Sequence, residues 1–297
     1  MRILLTGATG FIGQALVPAL RAHGHELVLL TRQRREDTPG VTHIGGLGEI
    51  EGTTAVGAII NLAGASLAGR RWSAAYKREI YASRIETTED LVRLIARLET
   101  PPGVFISGSA VGYYGHHPDT LLDEDSPVVH GFAQSLCADW EAAALEAEAL
   151  GVRTCRMRLG VVLARGGGAL REMSRSFQFG VGSWIGSGEQ WLSWVHRDDV
   201  VAAIIFLLNQ SVLTGPFNLT APQPVTARAF AEALSAHYRL LFSAPVPASA
   251  ARLLLGEMAD ELLLTGQRVI PARLQAAGFE FRYPTVASAL QAIYQPA

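Results

Sequence analysis

Lysine is almost missing from this chain. Its 297 residues carry 24 arginines but a single lysine, Lys77, so any chemistry needing an amine must use that residue. Only two cysteines occur, Cys137 and Cys155, which excludes a disulfide framework and a cysteine-rich zinc site and points to a reducing compartment. No uninterrupted apolar run reaches the roughly 18 residues a membrane helix needs. A strong charge of either sign is also lacking. The net charge of −2 gives no electrostatic reason to bind nucleic acid or an anionic membrane, which leaves a small molecule as the expected partner. Charged residues are 18% against 49% hydrophobic, the balance of a compact globular chain. Met1 leads within a few residues into what reads as a core strand, with no room for a signal peptide, so the expected location is cytoplasmic.

What is present is a succession of short apolar runs separated by helical patterns, with no internal repeat and no low-complexity linker. Residues 3–6, 25–31, 58–62, 104–107 and 153–159 read as strands, with 191–196 and 215–219 following later. Helical spacing marks Ala15, Leu16 and Leu20, a long helix over 76–98, and helices over 136–150, 198–208 and 226–238, the last capped by Thr226. Beyond Pro245 two or three short helices remain. The strands are continuous apolar runs, which predicts a Rossmann-type, doubly wound parallel sheet covered on both faces. Residues 1–165 form the expected dinucleotide lobe, with 191–220 returning to it. Residues 221–297 form a small interleaved C-terminal lobe for substrate, to which 166–190 contribute.

The first strand runs into Gly7-Ala8-Thr9-Gly10-Phe11-Ile12-Gly13, a Gly-x-x-Gly-x-x-Gly turn that opens a helix. Glycines there allow the tight turn, the approach of a pyrophosphate to the backbone, and close helix–strand packing. The helix N-terminus would then face the phosphates with unpaired amides and a partial positive charge. Any tight strand–helix turn can carry glycines, so the context matters more than the letters. The end of the second strand selects the nucleotide. An acidic residue would bind the ribose 2′-hydroxyl of NAD, but the chain has Thr31 and Arg32, with Arg34 and Arg35 behind. A guanidinium suits the 2′-phosphate of NADP(H), the alternative being a solvated basic loop.

These features, together with Asn61-Leu62-Ala63-Gly64, Gly108-Ser109-Ala110 leading to Tyr113-Tyr114-Gly115, and Trp194-Val195-His196-Arg197-Asp198-Asp199-Val200, resemble an extended short-chain dehydrogenase/reductase. The segments Arg70-Arg71-Trp72, Ser83-Arg84 with Thr87-Thr88, Gly186-Ser187-Gly188 and Gly266-Gln267-Arg268-Val269-Ile270-Pro271 narrow the likeness. They resemble the atypical epimerase-family group, often labelled nucleoside-diphosphate-sugar epimerases. That resemblance implies NADP contacts at Thr31, Arg32, Leu62, Ala63, Glu79, Arg84 and Val161, beside the Gly7–Gly13 turn with Thr9, Gly10, Phe11 and Ile12, and Gly64. Without the family, Glu79 and Arg84 read equally as a surface charge pair.

Typical enzymes of the family use a Tyr-x-x-x-Lys pair beside a serine, the lysine lowering a phenol whose ordinary pKa is about 10. No Tyr-x-x-x-Lys exists here; by alignment on Trp140-Glu141 the two positions hold Ala133 and Cys137. Ser109, Tyr113 and Tyr114 survive as candidate catalytic residues, the alternative being that they pack around the nicotinamide. His116-His117 lacks a recognisable third metal ligand, and no metal is expected. Cys137 reads as packed, and His196 as bracing the turn into the next helix. Trp184, Trp191 and Trp194 line a substrate cleft or a core. Two functions remain open: an NADP(H)-dependent oxidoreductase or epimerase-like enzyme, and a non-catalytic NADP(H)-binding regulatory module.

Overall fold

The computed structural model describes residues 1–32 and 35–295; Arg34 of the basic stretch lies outside the described residues. Seven strands form the central sheet: β1 (Arg2–Thr6), β2 (Glu26–Leu30), β3 (Val41–Ile44), β4 (Ala58–Asn61), β5 (Val104–Ala110), β6 (Arg153–Leu159) and β7 (Gly215–Leu219). They lie in the order β7-β6-β5-β4-β1-β2-β3 and every neighbouring pair is parallel. Alternate residues of each strand serve opposite faces. Ile3, Leu5, Leu27, Leu29, Ile60, Ile106 and Met157 pack with α1 (Gly13–Ala22) and α5 (Arg197–Asn209). Leu4, Val28, Ile59 and Phe105 pack with Leu91, Leu94 and Ile95 of α3 (Ile85–Arg97) and Ala144 of α4 (Phe132–Leu145). Each such side chain, fully buried, contributes about 1.5–3 kcal/mol. Two buried faces explain why the strands read as apolar runs instead of alternating ones.

The sheet contains one strand the sequence did not announce. Val41–Ile44 is a short edge strand with only Val41 and Ile44 buried, so Ala58–Asn61 is the fourth strand in the chain and not the third. The expected helix over 76–98 is two helices, α2 (Ala74–Ala82) and α3, broken at Ser83-Arg84.

A second core holds Phe177, Trp194, Phe230, Leu234, Leu290 and Ile293, gathered by the helices Ala227–Ser235 and Val286–Tyr294. Thr226 caps the former by accepting from the Ala229 amide at 3.2 Å. The stretch 191–220 divides between the two cores. Trp191–Leu192 pairs antiparallel with Val225–Thr226 and Trp194 lies in the second core, while α5 and β7 belong to the sheet. Among the described residues four helices follow Pro245, where two or three were expected: Ala248–Leu255, Glu257–Leu262, Ala272–Ala276 and Val286–Tyr294. Among the described residues no helix is long and apolar enough to cross a membrane.

Candidate functional site

Strand order reverses around β1, whose neighbours β2 and β4 leave in opposite directions, and such a switch point opens a crevice at the carboxyl ends of the strands. The glycine turn fills that position, and its three glycines do different things. Gly7 has φ +70°, and a Cβ there would stand 2.3 Å from the Leu62 carbonyl oxygen. A Cβ on Gly13 would stand 2.3 Å from the Gly7 carbonyl oxygen. Both are packing glycines. Gly10 is exposed; its amide donates to the Gly7 carbonyl at 2.9 Å, and a Cβ would meet only that oxygen, at 3.1 Å. Its outer side faces open space, bordered by the first-turn amides that no helix carbonyl can satisfy. A dinucleotide pyrophosphate fits such a cradle.

The turn Leu62-Ala63-Gly64 forms the opposite wall. A buried network fixes it: Thr6 Oγ1 donates to Asn61 Oδ1 at 2.6 Å and accepts from the Leu62 and Ala63 amides at 3.2 and 3.1 Å. Asn61 Nδ2 in turn donates to Thr88 Oγ1 at 2.8 Å, which also accepts from Trp140 Nε1 at 3.0 Å. Thus β4, α3 and α4 meet at the Thr88 hydroxyl, and β1 joins them through Asn61. Asn61 and Thr88 appeared in the sequence only as motif letters; a polar pair ending a buried strand and interrupting a helix face was the available signal.

The Ser83-Arg84 break serves the same turn. Ser83 Oγ accepts from the Ala65 amide at 2.9 Å, and Arg84 Nη2 donates to the Ala65 carbonyl at 3.1 Å. Arg84 is buried, with Nη1 on the Ile80 carbonyl at 3.2 Å and its guanidinium 5.3 Å from the Trp140 ring centre. Burial lowers its pKa, and no carboxylate among the described residues pairs with it. A buried cation without a counter-charge is costly, and an anionic ligand would relieve it. Glu79, by contrast, is exposed on α2, 3.8 Å from Arg70, so it does not pair with Arg84.

At the end of β2, the Thr31 amide donates to the Ile44 carbonyl at 2.9 Å and Arg32 is exposed. A cavity of about 310 Å³ opens beside them, lined by Thr9, Gln14, Thr31, Arg35 and His43 among others. Val161 begins a short strand, Val161–Leu163, paired with Trp194–His196. The chain then reaches Gly167 and Gly168, where an added Cβ would stand 2.9 and 2.7 Å from the Phe11 ring. Arg197 covers the same ring at 5.0 Å. The structure therefore brings the Gly7–Gly13 turn together with Leu62–Gly64, Arg84 and the segment following Val161.

The three candidate catalytic residues have unequal surroundings. Ser109 is buried and its hydroxyl donates to Glu141 Oε1 at 2.8 Å. Glu141 also holds Arg158 through two bonds, Nε at 2.7 Å and Nη2 at 3.0 Å, and Arg156 Nη1 at 3.2 Å. Arg158 Nη1 reaches the Tyr114 hydroxyl at 3.0 Å, and that hydroxyl donates to Asn218 Oδ1 at 2.7 Å. Tyr114 is fully buried, and burial pushes its phenol up to about 12 despite Arg158. Burial works against charge on Arg158, but Glu141 more than offsets it and the net shift is upward. Ser109 and Tyr114 are thus members of an internal charge network. Tyr113 is half-buried, its ring 3.5 Å from the Arg158 guanidinium carbon, and no described residue bonds its hydroxyl.

Ala133 and Cys137 lie on α4 where a Cβ added to Gly112 would meet them at 3.3 and 3.6 Å, so the floor beside Tyr113 is apolar. Cys137 is packed, with burial pushing its thiol up to about 12. Among the described residues no cluster of His, Cys, Asp or Glu could hold a metal ion; His117 is buried on the Tyr114 carbonyl at 3.2 Å. His196 caps α5, its Nδ1 accepting from the Asp198 amide at 3.2 Å. Trp194 is core, with Nε1 on the Gln223 carbonyl at 3.1 Å, whereas Trp184 lies under Arg228 and Trp191 donates to Asp119 at 2.9 Å.

A parallel sheet in this order, with a glycine turn at its switch point, defines a Rossmann-type protein of the extended short-chain dehydrogenase/reductase kind. The chain belongs to the NAD dependent epimerase/dehydratase family, whose model matches residues 3–219; residues 246–293 match a domain of unknown function, DUF1731. An epimerase family protein of Mycobacterium leprae is 40% identical over 290 residues, covering 97% of this chain and 94% of that one. Epimerase family protein SDR39U1 of Bos taurus is 37% identical over 298 residues, 99% of each chain. Among solved structures, human SDR39U1 (isoform 2) with NADPH superposes with a TM-score of 0.90 at 34% identity over the whole of both chains. A nucleoside-diphosphate sugar epimerase from Corynebacterium glutamicum gives 0.80 at 29% identity, covering 99% of this chain and 58% of that one.

Proposed function

We propose that this chain binds NADP(H) at the β1/β4 switch point and exchanges a hydride with a small-molecule substrate held under the C-terminal lobe. The observation that carries the reading is the Gly7–Gly13 turn, in which Gly7 and Gly13 are closed by packing and Gly10 alone is open. Amides of Phe11, Ile12 and Gly13 would hold the pyrophosphate. Thr31 and Arg32 would take the 2′-phosphate, and the cavity beside them the rest of that end. Leu62, Ala63, Gly64 and Val161 would line the nicotinamide half, with Arg84 supplying positive charge. The crystallised human relative with NADPH supports the choice of nucleotide. When bound, the nicotinamide ring supplies or accepts the hydride. The proton at the substrate falls to Tyr113, whose hydroxyl is uncommitted, while Ser109 and Tyr114 hold Glu141 and Asn218. Residues 221–297 with 166–190 are the substrate lobe in this reading, and two free buried thiols suit a cytoplasmic location.

The charge network favours a second reading, in which the chain is an NADP(H)-binding regulatory module without turnover. The two separate by supplying 4-deuterated NADPH with a panel of carbonyl, enone and nucleotide-sugar compounds. Deuterium in a product, reduced about 10²–10⁴-fold by Tyr113→Phe at unchanged NADPH affinity, supports the enzyme. Transfer undiminished in Tyr113→Phe removes Tyr113 from the proton step. Tight NADPH binding with no transfer to any compound favours the module.

A further inference from the structure

The short helix Glu257–Leu262 bonds both α2 and α4 from the C-terminal lobe. On one side Glu257 grips Lys77 of α2, with each carboxylate oxygen 2.5 Å from Nζ. Lys77 is the only lysine in the chain, and its ammonium also rests 4.4 Å from the Phe132 ring centre. On the other side Glu261 Oε2 accepts from the Ala133 amide at 3.1 Å. Ala133 stands in the first turn of α4, whose cap residue, Gly131, has no side chain to do this. The C-terminal lobe therefore supplies the cap. Ala133 packs in turn against Gly112, next to Tyr113, so the Glu261 contact falls on a residue that forms part of the floor described above. Gly256, at the near end of the helix, has φ +62° and lies against the Arg71 guanidinium.

We propose that Glu257–Leu262 is a lid over the site, pinned shut by the Lys77–Glu257 pair and by the Glu261 cap on α4. The lid turns at Gly256, where a left-handed backbone gives the chain a pivot other residues rarely adopt. Its buried anchors are only Met258 and Ala259, and the preceding helix leaves Leu253 and Leu254 exposed at 77% and 70%. Opening must also release the Met258 and Ala259 side chains and the Arg252–Asp260 pair, 2.8 Å apart. The Lys77–Glu257 part of the hold lies at a half-exposed surface, where a pair shifts an opening equilibrium about two- to five-fold and salt weakens it. The gating role rests on the NADP(H) reading of the site; the latch itself does not.

Amide hydrogen exchange and NADPH release test this together on the full chain. Lys77→Gln and Glu257→Gln should each raise exchange of residues 257–264 and of the Ala133 amide about two- to five-fold, with β1 and β4 unchanged. NADPH release, followed by stopped-flow fluorescence, should quicken by a similar factor. The charge-exchanged double variant, Lys77→Glu with Glu257→Lys, should return both readouts toward wild type. Unchanged exchange in the single variants overturns the latch, as does a double variant no better than the singles. Faster exchange with unchanged NADPH release overturns the lid. A wild type that binds no NADPH refutes the gating role and the nucleotide reading together, while exchange without nucleotide still decides the latch.

Discussion

Replacing Glu141 by alanine would remove the centre of the network that engages Ser109 and Tyr114. The Glu141 carboxylate receives four bonds, from Arg158 Nε and Nη2, Arg156 Nη1 and Ser109 Oγ. The side chains of Glu141 and Arg158 are each only 3% exposed. Without the carboxylate, Arg158 keeps the Tyr114 hydroxyl and the Glu124 carbonyl but no close counter-charge. Breaking one partner out of a buried ion pair costs about 3–5 kcal/mol, a large part of the 5–15 kcal/mol that holds a typical domain together. Glu141→Gln preserves shape and loses charge, for which about 2–3 kcal/mol is expected. Methionine at both Glu141 and Arg158 should cost much less than the two single losses added, because no orphan charge remains. Urea unfolding followed by tryptophan fluorescence measures all of these. A loss below about 1 kcal/mol for Glu141→Ala at unchanged m-value would refute the argument.

Other consequences follow from single residues. Gly10→Val should leave the urea midpoint almost unchanged while abolishing NADPH binding by calorimetry. Gly7→Ala should cost about 2–4 kcal/mol through its left-handed φ and the clash with Leu62. Arg32→Asp should weaken NADPH by about 2–3 kcal/mol and leave NADH nearly unaffected, read by calorimetry with both nucleotides; equal losses would remove Arg32 from the 2′-phosphate. His196 must be neutral at Nδ1 to accept from Asp198, and burial lowers its pKa, with Arg197 and Arg282 acting in the same direction and Asp198 against. The unfolded chain therefore binds more protons, so stability from this group is present above about pH 6.5 and is lost as pH falls below it. Asparagine can cap without titrating, so wild type minus His196→Asn in unfolding free energy should decline between pH 7.5 and 5.5.

The layers of the fold were legible because burial on both faces of the sheet left continuous apolar runs, and β6 and β7 fall at the expected residues. Val41–Ile44 was not legible: its two buried positions sit between glycines and carry no strong alternation. The break at Ser83-Arg84 lacks glycine or proline, and its cause is tertiary, since both side chains bond the Ala65 backbone. The glycine turn could be read directly, but which of its glycines is open depends on where Leu62 returns. The Glu141–Arg158 pair could have been suspected from arginines at alternate positions of a central strand, Arg156 and Arg158, which need an acid on the covering helix.

In the proposed enzyme reading, proton transfer would not follow the family's usual route, because by the alignment on Trp140-Glu141 two members of that relay are replaced and the third is engaged elsewhere. Two are substituted: Ala133 and Cys137 make an apolar floor where a phenol and an amine would stand. The third, Ser109, is retained in kind but donates its proton to Glu141. A hydroxyl so engaged can still accept a bond, but cannot donate one to a substrate oxygen without breaking a bond to a buried carboxylate, which costs about 1.5–3 kcal/mol. Tyr114 is engaged in the same way, and burial makes its phenolate less accessible still. Tyr113 alone combines partial exposure, an uncommitted hydroxyl and a guanidinium against its ring. Ser109→Ala and Tyr114→Phe should therefore lower stability while leaving any hydride transfer per folded molecule nearly unchanged, and Tyr113→Phe should do the reverse. Transfer abolished by Ser109→Ala in a protein of wild-type stability would show that the serine reaches the substrate after all, and would refute the assignment of Ser109 to the internal network alone.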